Sequence, residues 1–192
     1  DRHSVLGGTL NWLEKMPLRQ EFLQLKKRQM RRLEQHKVNL ELECKVGDDM
    51  LEKHQDSHII WAAGAQAQAQ ALSSGGAALT LEQALADPEK LGKKVLMVDH
   101  LGTWAVVSVA EFLADIGKEV SLIVPTGIAG WKISIYSSFA LKHRLKEKNV
   151  QLIPGHRLLD FANGRADIED LSLHDSTQAL LVDSVIAPIS GK

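Results

Sequence analysis

The stretch VLGGTLNW at residues 5–12 sets two glycines, Gly7 and Gly8, beside Thr9. With no Cβ in the way, such a pair lets the backbone come close to a pyrophosphate or a cofactor ring. Thr9 can add a backbone or hydroxyl donor to the same ligand. An ordinary tight turn uses the same residues, so the local sequence leaves both readings open. A second set lies in DHLGTWAV, where Asp99 and His100 end an apolar run and Gly102 precedes another. Ligands of open α/β sheets collect at the carboxyl ends of strands, which is where Asp99 and His100 fall. A full pyrophosphate cradle there reads G-x-G-x-x-G. Gly102 is the single glycine of this loop, and Trp104 crowds the place where a small residue lets phosphate meet a helix start. His54 and His58 flank Asp56, but LEKHQDSH lacks a third convincing metal ligand, and no metal site is assigned. Cys44, the sole cysteine, excludes an internal disulfide or a multi-cysteine metal site. No G-x-S-x-G elbow presents a nucleophile, so no catalytic residue is assigned.

These residues need elements to hold them. Residues 18–36 carry Leu18, Phe22, Leu25, Met30 and Leu33 at roughly helical spacing, with a basic opposite face read as solvated. VNLELECKV (38–46) alternates and reads as a half-buried strand; HIIWAAGA (58–65) reads as a buried strand entering a turn. The Ala- and Gln-rich stretch 66–79, broken by Ser73-Ser74-Gly75-Gly76, reads as a surface linker. Thr80 is an N-cap for a short helix. Beyond it come a strand at 93–99, an apolar helix at 104–117 closed by Gly117, and a strand at 119–124. That is a βαβ unit with parallel strands. A helix over 134–148 and the strand VQLIP come next. Three strand-like runs separated by Asn163-Gly164 and Asp175-Ser176 then form an antiparallel meander that returns to a buried DSVIAPI strand.

Composition narrows the class. The chain has 192 residues, 44% of them hydrophobic, and a formal net charge of −1, so it has no broad basic field for nucleic acid or anionic lipid. Aromatic residues at 5% also disfavour base stacking. No apolar run reaches the roughly 20 residues that span a bilayer. There is no signal pattern at the start of the chain, and the cytoplasm is the expected location.

The LGG loop and the paired stretches DSHIIWAAGA and DSVIAPISG carry a resemblance. The chain resembles the C-terminal FAD/NAD(P)-binding region of flavin oxidoreductases with an Old Yellow Enzyme-type barrel. This is the group of 2,4-dienoyl-CoA reductase and the trimethylamine and histamine dehydrogenases. The stretch from LGG through the Met16-Pro17 turn and basic helix is similar to the segment after that family's second strand. DSHIIWAAGA is similar to its D-x-h-h-A-T-G-A strand end, with Ala63 in place of the Thr. GKKVLMVDHLGTWAVVSVAEFLADIGKEVSLIVPTG is similar to the start of its NAD(P)-type subdomain, although PTG stands where an acid or an arginine is expected.

The resemblance implies an α/β fold: a Rossmann-like NAD(P)-type subdomain with a parallel sheet and antiparallel meander, plus part of a second FAD-type lobe. It implies a lobe at 1–75, a linker and short helix at 76–91, and the subdomain at 92–192. It aligns Asp1 with the ribose-binding acid of the FAD-type lobe, and Gly7, Gly8, Thr9, Ala62, Ala63 and Gly64 with backbone beside its cofactor. In the second subdomain it points to Asp99 and Gly102. By that alignment the chain is expected to be trimmed at both ends and catalytically silent alone. FAD or ADP would bind in this region, with NAD(P)H as a further ligand. FMN and a 4Fe–4S cluster would belong to the barrel, the expected partner beside self-association. The alternative is a structural or docking module with degenerate nucleotide sites, for which the DHLGTWAV loop is the main support.

Overall fold

A computed structural model describes residues 1–173 and 176–191. In the unit Asp1–Gly64, Gly7 and Gly8 enter a 3-10 helix over Gly8–Glu14. A 3-10 turn, Gln20–Phe22, leads into helix α1, Leu23–Gln35. The basic helix therefore starts later than its periodicity predicts. Leu18, just after Pro17, has φ 58°, a left-handed conformation that no right-handed helix accommodates. The half-buried side of α1 carries Leu23, Lys26 and Leu33, whereas Phe22, Leu25 and Met30 are exposed. A short helix α2, Asp48–Lys53, comes after it.

Neither strand expected in this unit forms. Residues 38–46 and 58–65 are irregular, and Ile60 and Trp61 are 90% and 69% exposed. Alternation can supply a strand with a face, but a strand also needs a hydrogen-bonded neighbour. Among the described residues of this unit there is no strand to supply one. The backbone at Glu43 and Cys44 instead donates to the carbonyls of His3 and Asp1, at 3.1 and 2.9 Å.

The second unit begins at Ala65. Its first strand, β1 (Gln68–Ala69), pairs antiparallel with Pro188–Ile189. The stretch expected as a linker is thus tied into the unit. Ser74 Oγ donates to Asp160 Oδ1 at 2.8 Å, Leu79 bridges to Ile186, and Leu72 and Ala78 pack against the core. The Ser74 hydroxyl is also the main reason that the Asp160 carboxyl is held below its ordinary pKa. All these partners are remote in sequence, so composition could not show them. Helix α3, Leu81–Ala86, opens on the expected cap. Thr80 Oγ1 accepts from Gln83 N at 3.2 Å, and Gln83 Oε1 accepts from Thr80 N at 2.8 Å.

The βαβ pattern is realised as β2 (Lys94–Val98), α4 (Trp104–Asp115) and β3 (Glu119–Val124). Helix α5 (Ile135–Glu147) and β4 (Gln151–Pro154) continue it. Gly117, at φ 86°, ends α4 as expected, with Lys118 N donating to Leu113 O and Gly117 N to Ala114 O, both at 3.0 Å. The meander is β5 (His156–Ala162), β6 (Arg165–Asp170) and β7 (Thr177–Leu181), antiparallel throughout. Asn163 and Gly164, at φ 51° and 77°, make its first turn. Asp175 of the second expected turn lies outside the described residues. Strands β8 (Ser184–Ile186) and β9 (Pro188–Ile189) complete the unit.

β4, β3, β2 and β8 form one parallel sheet in that order. Pleat alternation divides its side chains between two layers. Leu96, Val98, Ile123 and Ile153 join Leu158, Ala166 and Ile168 of the meander in one buried cluster. Val95, Met97 and Leu122, also fully buried, fall on the opposite face, and α4 packs against β2 and β3. Each such aliphatic side chain contributes about 1.5–3 kcal/mol by leaving water. Glu111, 0% exposed, ties α4 to α5 by accepting from Arg144 Nε at 2.6 Å and its Nη2 at 3.3 Å.

Candidate functional site

The parallel sheet aims the carboxyl ends of β2 and β3 at one edge, where two loops meet. Asp99 comes directly after β2; its N–H donates to Ile123 O at 2.9 Å, and its residue is 1% exposed. One carboxylate oxygen accepts from Gly102 N at 2.8 Å; the other accepts from Gly130 N at 2.7 Å. Lys132 N donates back to Gly102 O at 2.8 Å. The loop after β2 and the loop after β3 are therefore zipped together by backbone donors that both end on one buried anion.

Gly102 takes φ 65°, and a Cβ built there would lie 2.3 Å from the indole Nε1 of Trp131. The indole thus covers the spot where a glycine would let a phosphate approach, and Lys132 Nζ sits 4.6 Å from its ring centroid. His100 is half-buried beside this zipper, with Nε2 2.9 Å from Gln70 Oε1. Burial pushes its imidazole pKa below the ordinary value, and the neighbouring Asp99 charge offsets part of that shift. Asp99 and Gly102 meet at the end of β2 through the Gly102 N–H. In this arrangement they bind the protein's own loop, and the residues do not fit a pyrophosphate here.

In the first unit, Asp1 Oδ1 accepts from His3 N at 2.9 Å, and its ammonium donates to Glu41 O at 2.6 Å. Gly7 and Gly8 have φ 116° and 48°. A Cβ on Gly7 would meet Asn11 Oδ1 at 2.9 Å and Lys26 Cδ at 3.0 Å, while Gly8 faces open space. Thr9 is exposed beside it, and Lys26 Nζ donates to Asn11 Oδ1. Ala63 and Gly64 lie in exposed irregular backbone, Gly64 at φ 72°. Among the described residues no hydrogen bond or ion pair joins Asp1, Gly7–Thr9 and Ala63–Gly64 to one another. The open face of Gly8, next to the Gly7 that carries the Lys26 stem, leaves room for a phosphate ester.

Sequence reasoning missed Gln70, Gly130, Trp131 and Lys26. The first three contact their partners across about 30 positions, and no local pattern reveals such pairs. Lys26 did leave a signal, since it is a charge on the half-buried side of an amphipathic helix. A separate groove of about 600 Å³ runs beside β4, lined by residues that include Val124, Lys142, Lys146 and Leu152, and does not include Asp99, His100 or Gly102. Among the described residues no three His, Cys, Asp or Glu side chains converge as metal ligands, and no helix is long and apolar enough to cross a membrane.

No family model matches the chain, and no curated protein does. Solved structures do match. The chain is similar to the 6-hydroxypseudooxynicotine amine oxidase of Pseudomonas geniculata N1, at 17% identity and TM-score 0.83, over 99% of this chain and 30% of that one. It is similar to the histamine dehydrogenase of Rhizobium sp. 4-9, at 17% identity and TM-score 0.82, over 97% of this chain and 31% of that one. A 2-naphthoyl-CoA reductase in complex with 2-naphthoyl-CoA matches at 15% identity and TM-score 0.82, over 96% of this chain and 28% of that one. The chain thus spans less than a third of each of these structures. At such identities the likeness establishes the fold, which is α/β and Rossmann-like, with one parallel sheet and added antiparallel strands.

Proposed function

We propose that this chain is the nucleotide-binding and electron-transfer scaffold of a multi-domain flavin oxidoreductase, of the amine dehydrogenase or dienoyl-CoA reductase kind. The observation that carries the reading is the match across nearly the whole chain to three proteins named as an oxidase, a dehydrogenase and a reductase. The cofactor would carry the redox chemistry, and the chain would bind and orient it.

Within that reading the ligand is FAD or ADP at the Gly7–Gly8 turn of the first unit. Asp1, Thr9, Ala63 and Gly64 would complete the site in the whole protein. The second unit serves as a retained Rossmann-like frame rather than an NAD(P)H site. The Asp99–Gly102–Gly130 zipper and the Trp131 indole support that assignment. Calorimetric titration of this chain with ADP, FAD, NADH and NADPH tests it. The expected result is saturable binding of ADP or FAD and none of NADH or NADPH. Binding of NADPH with quenching of Trp131 fluorescence would overturn the assignment of the second unit. Failure of ADP and FAD to bind would favour the structural-module reading for both units.

A further inference from the structure

We infer that Lys26 is the phosphate-reading cation of the Gly7–Gly8 turn, an assignment that rests on the nucleotide reading of that turn. α1 is strongly basic, but Lys27, Arg28, Arg31 and Arg32 are exposed and solvated. Lys26 differs. It shares the half-buried side of the helix with Leu23 and Leu33, and its stem packs onto Gly7. Gly7 holds φ 116°, which favours glycine, and the Lys26 stem lies against it: a Cβ there would meet Lys26 Cδ at 3.0 Å and Cε at 3.1 Å. The ammonium is thereby carried to the turn and donates to the amide oxygen of Asn11.

Asn11 is neutral. Among the described residues no carboxylate pairs with Lys26. A partly buried cation with a dipole as its partner has lost hydration without gaining a counter-charge. The neighbouring backbone offers the room for one. Gly8 has nothing within 4 Å of the position a Cβ would take, and its φ of 48° keeps that face of the chain bare. A phosphate oxygen approaching Gly8 and exposed Thr9 would sit one residue along the chain from Gly7, against which the Lys26 stem lies. Lysine suits this role as a point charge that needs no fixed approach geometry. The ligand class is the phosphate or diphosphate of a nucleotide, and a neutral nucleoside would gain nothing from Lys26.

The test measures calorimetric affinity of the full chain for ADP, adenosine and inorganic pyrophosphate. It compares the wild type with Lys26→Met, which keeps the packed stem, and Lys26→Arg, which keeps the charge. We expect Lys26→Met to weaken ADP binding about tenfold or more, Lys26→Arg to restore most of it, and any adenosine affinity to stay unchanged. Pyrophosphate should compete with ADP in the wild type and not in Lys26→Met. Equal ADP affinity in wild type and Lys26→Met would make Lys26 a packing residue and leave the nucleotide reading intact. No ADP binding by the wild type would overturn both. If Lys26→Met does not fold, Lys26→Gln replaces it, since it also removes the charge and keeps a polar stem. A loss of ADP affinity in Lys26→Gln with unchanged adenosine affinity supports the role, and unchanged ADP affinity overturns it.

Discussion

Trp131 lies directly on Gly102, so close that a methyl group added to Gly102 would sit 2.3 Å from the indole nitrogen. The glycine also holds φ 65°. Gly102→Ala therefore meets two penalties at once, an overpacked contact and a left-handed backbone. It should lower unfolding free energy by about 1–3 kcal/mol from overpacking alone. Trp131→Ala in the same background should recover the overpacking share and leave the backbone share. Urea unfolding of the single and double variants measures both; equal stability of the two would show that the indole is not the obstacle.

Asp99 controls the same closure through charge. Its two oxygens each satisfy one backbone N–H, on Gly102 and Gly130. Asp99→Ala leaves two buried donors without their acceptor, at about 1–3 kcal/mol each. Asp99→Asn keeps one acceptor and turns a donor toward the other N–H, so it should fall between. Amide hydrogen exchange is the sharper readout. Protection at Gly102 and Gly130 should drop in Asp99→Ala while the β2–β3 ladder stays protected. Unchanged protection at both glycines would contradict the zipper.

A different dependence holds at the pair that ties α4 to α5. Glu111 is fully buried and meets Arg144 through both carboxylate oxygens. Glu111→Ala strands a partly buried guanidinium and should cost about 3–5 kcal/mol. Replacing both residues by methionine removes the stranded charge and should return most of that loss. A thermal-melt double-mutant cycle measures the coupling, and additive effects would mean that the pair is not a unit.

Legibility in the residue order depends on the range of the interactions involved. The strands at 94–98, 119–124 and 151–154 and their two helices were legible because each carries its own period, stop signal and buried face. Thr80, Gly117 and Asn163-Gly164 act within a few positions and were read correctly for that reason. Residues 38–46 and 58–65 have the pattern of strands without a strand beside them, and pattern alone cannot supply one. The pairing of Gln68–Ala69 with Pro188–Ile189 spans most of the second unit. The cover on Gly102 comes from the next loop along the sheet. In the second unit the sequence marks Asp99 and Gly102 at the end of β2, but the contacts that cover them, from Gly130 and Trp131, come from another loop and leave no local signal.

The closed edge should respond to acid through His100. Gln70 Nε2 donates to Leu158 O at 3.0 Å, which turns Gln70 Oε1 toward His100 Nε2, 2.9 Å away. The neutral ring therefore donates from Nε2, and a second proton would go to Nδ1 without breaking that bond. What opposes protonation is burial, which lowers the pKa from 6.5 despite the pull of Asp99. With the folded value depressed, the unfolded chain takes up the proton first. The contribution of neutral His100 is thus fully present above pH 6.5 and is lost as pH falls from there through the folded value. Urea midpoints measured from about pH 7 to about pH 5 should decline in the wild type and decline less in His100→Gln, which keeps a side-chain amide donor for Gln70. Parallel declines in the two proteins would mean that another group sets the acid sensitivity of this edge.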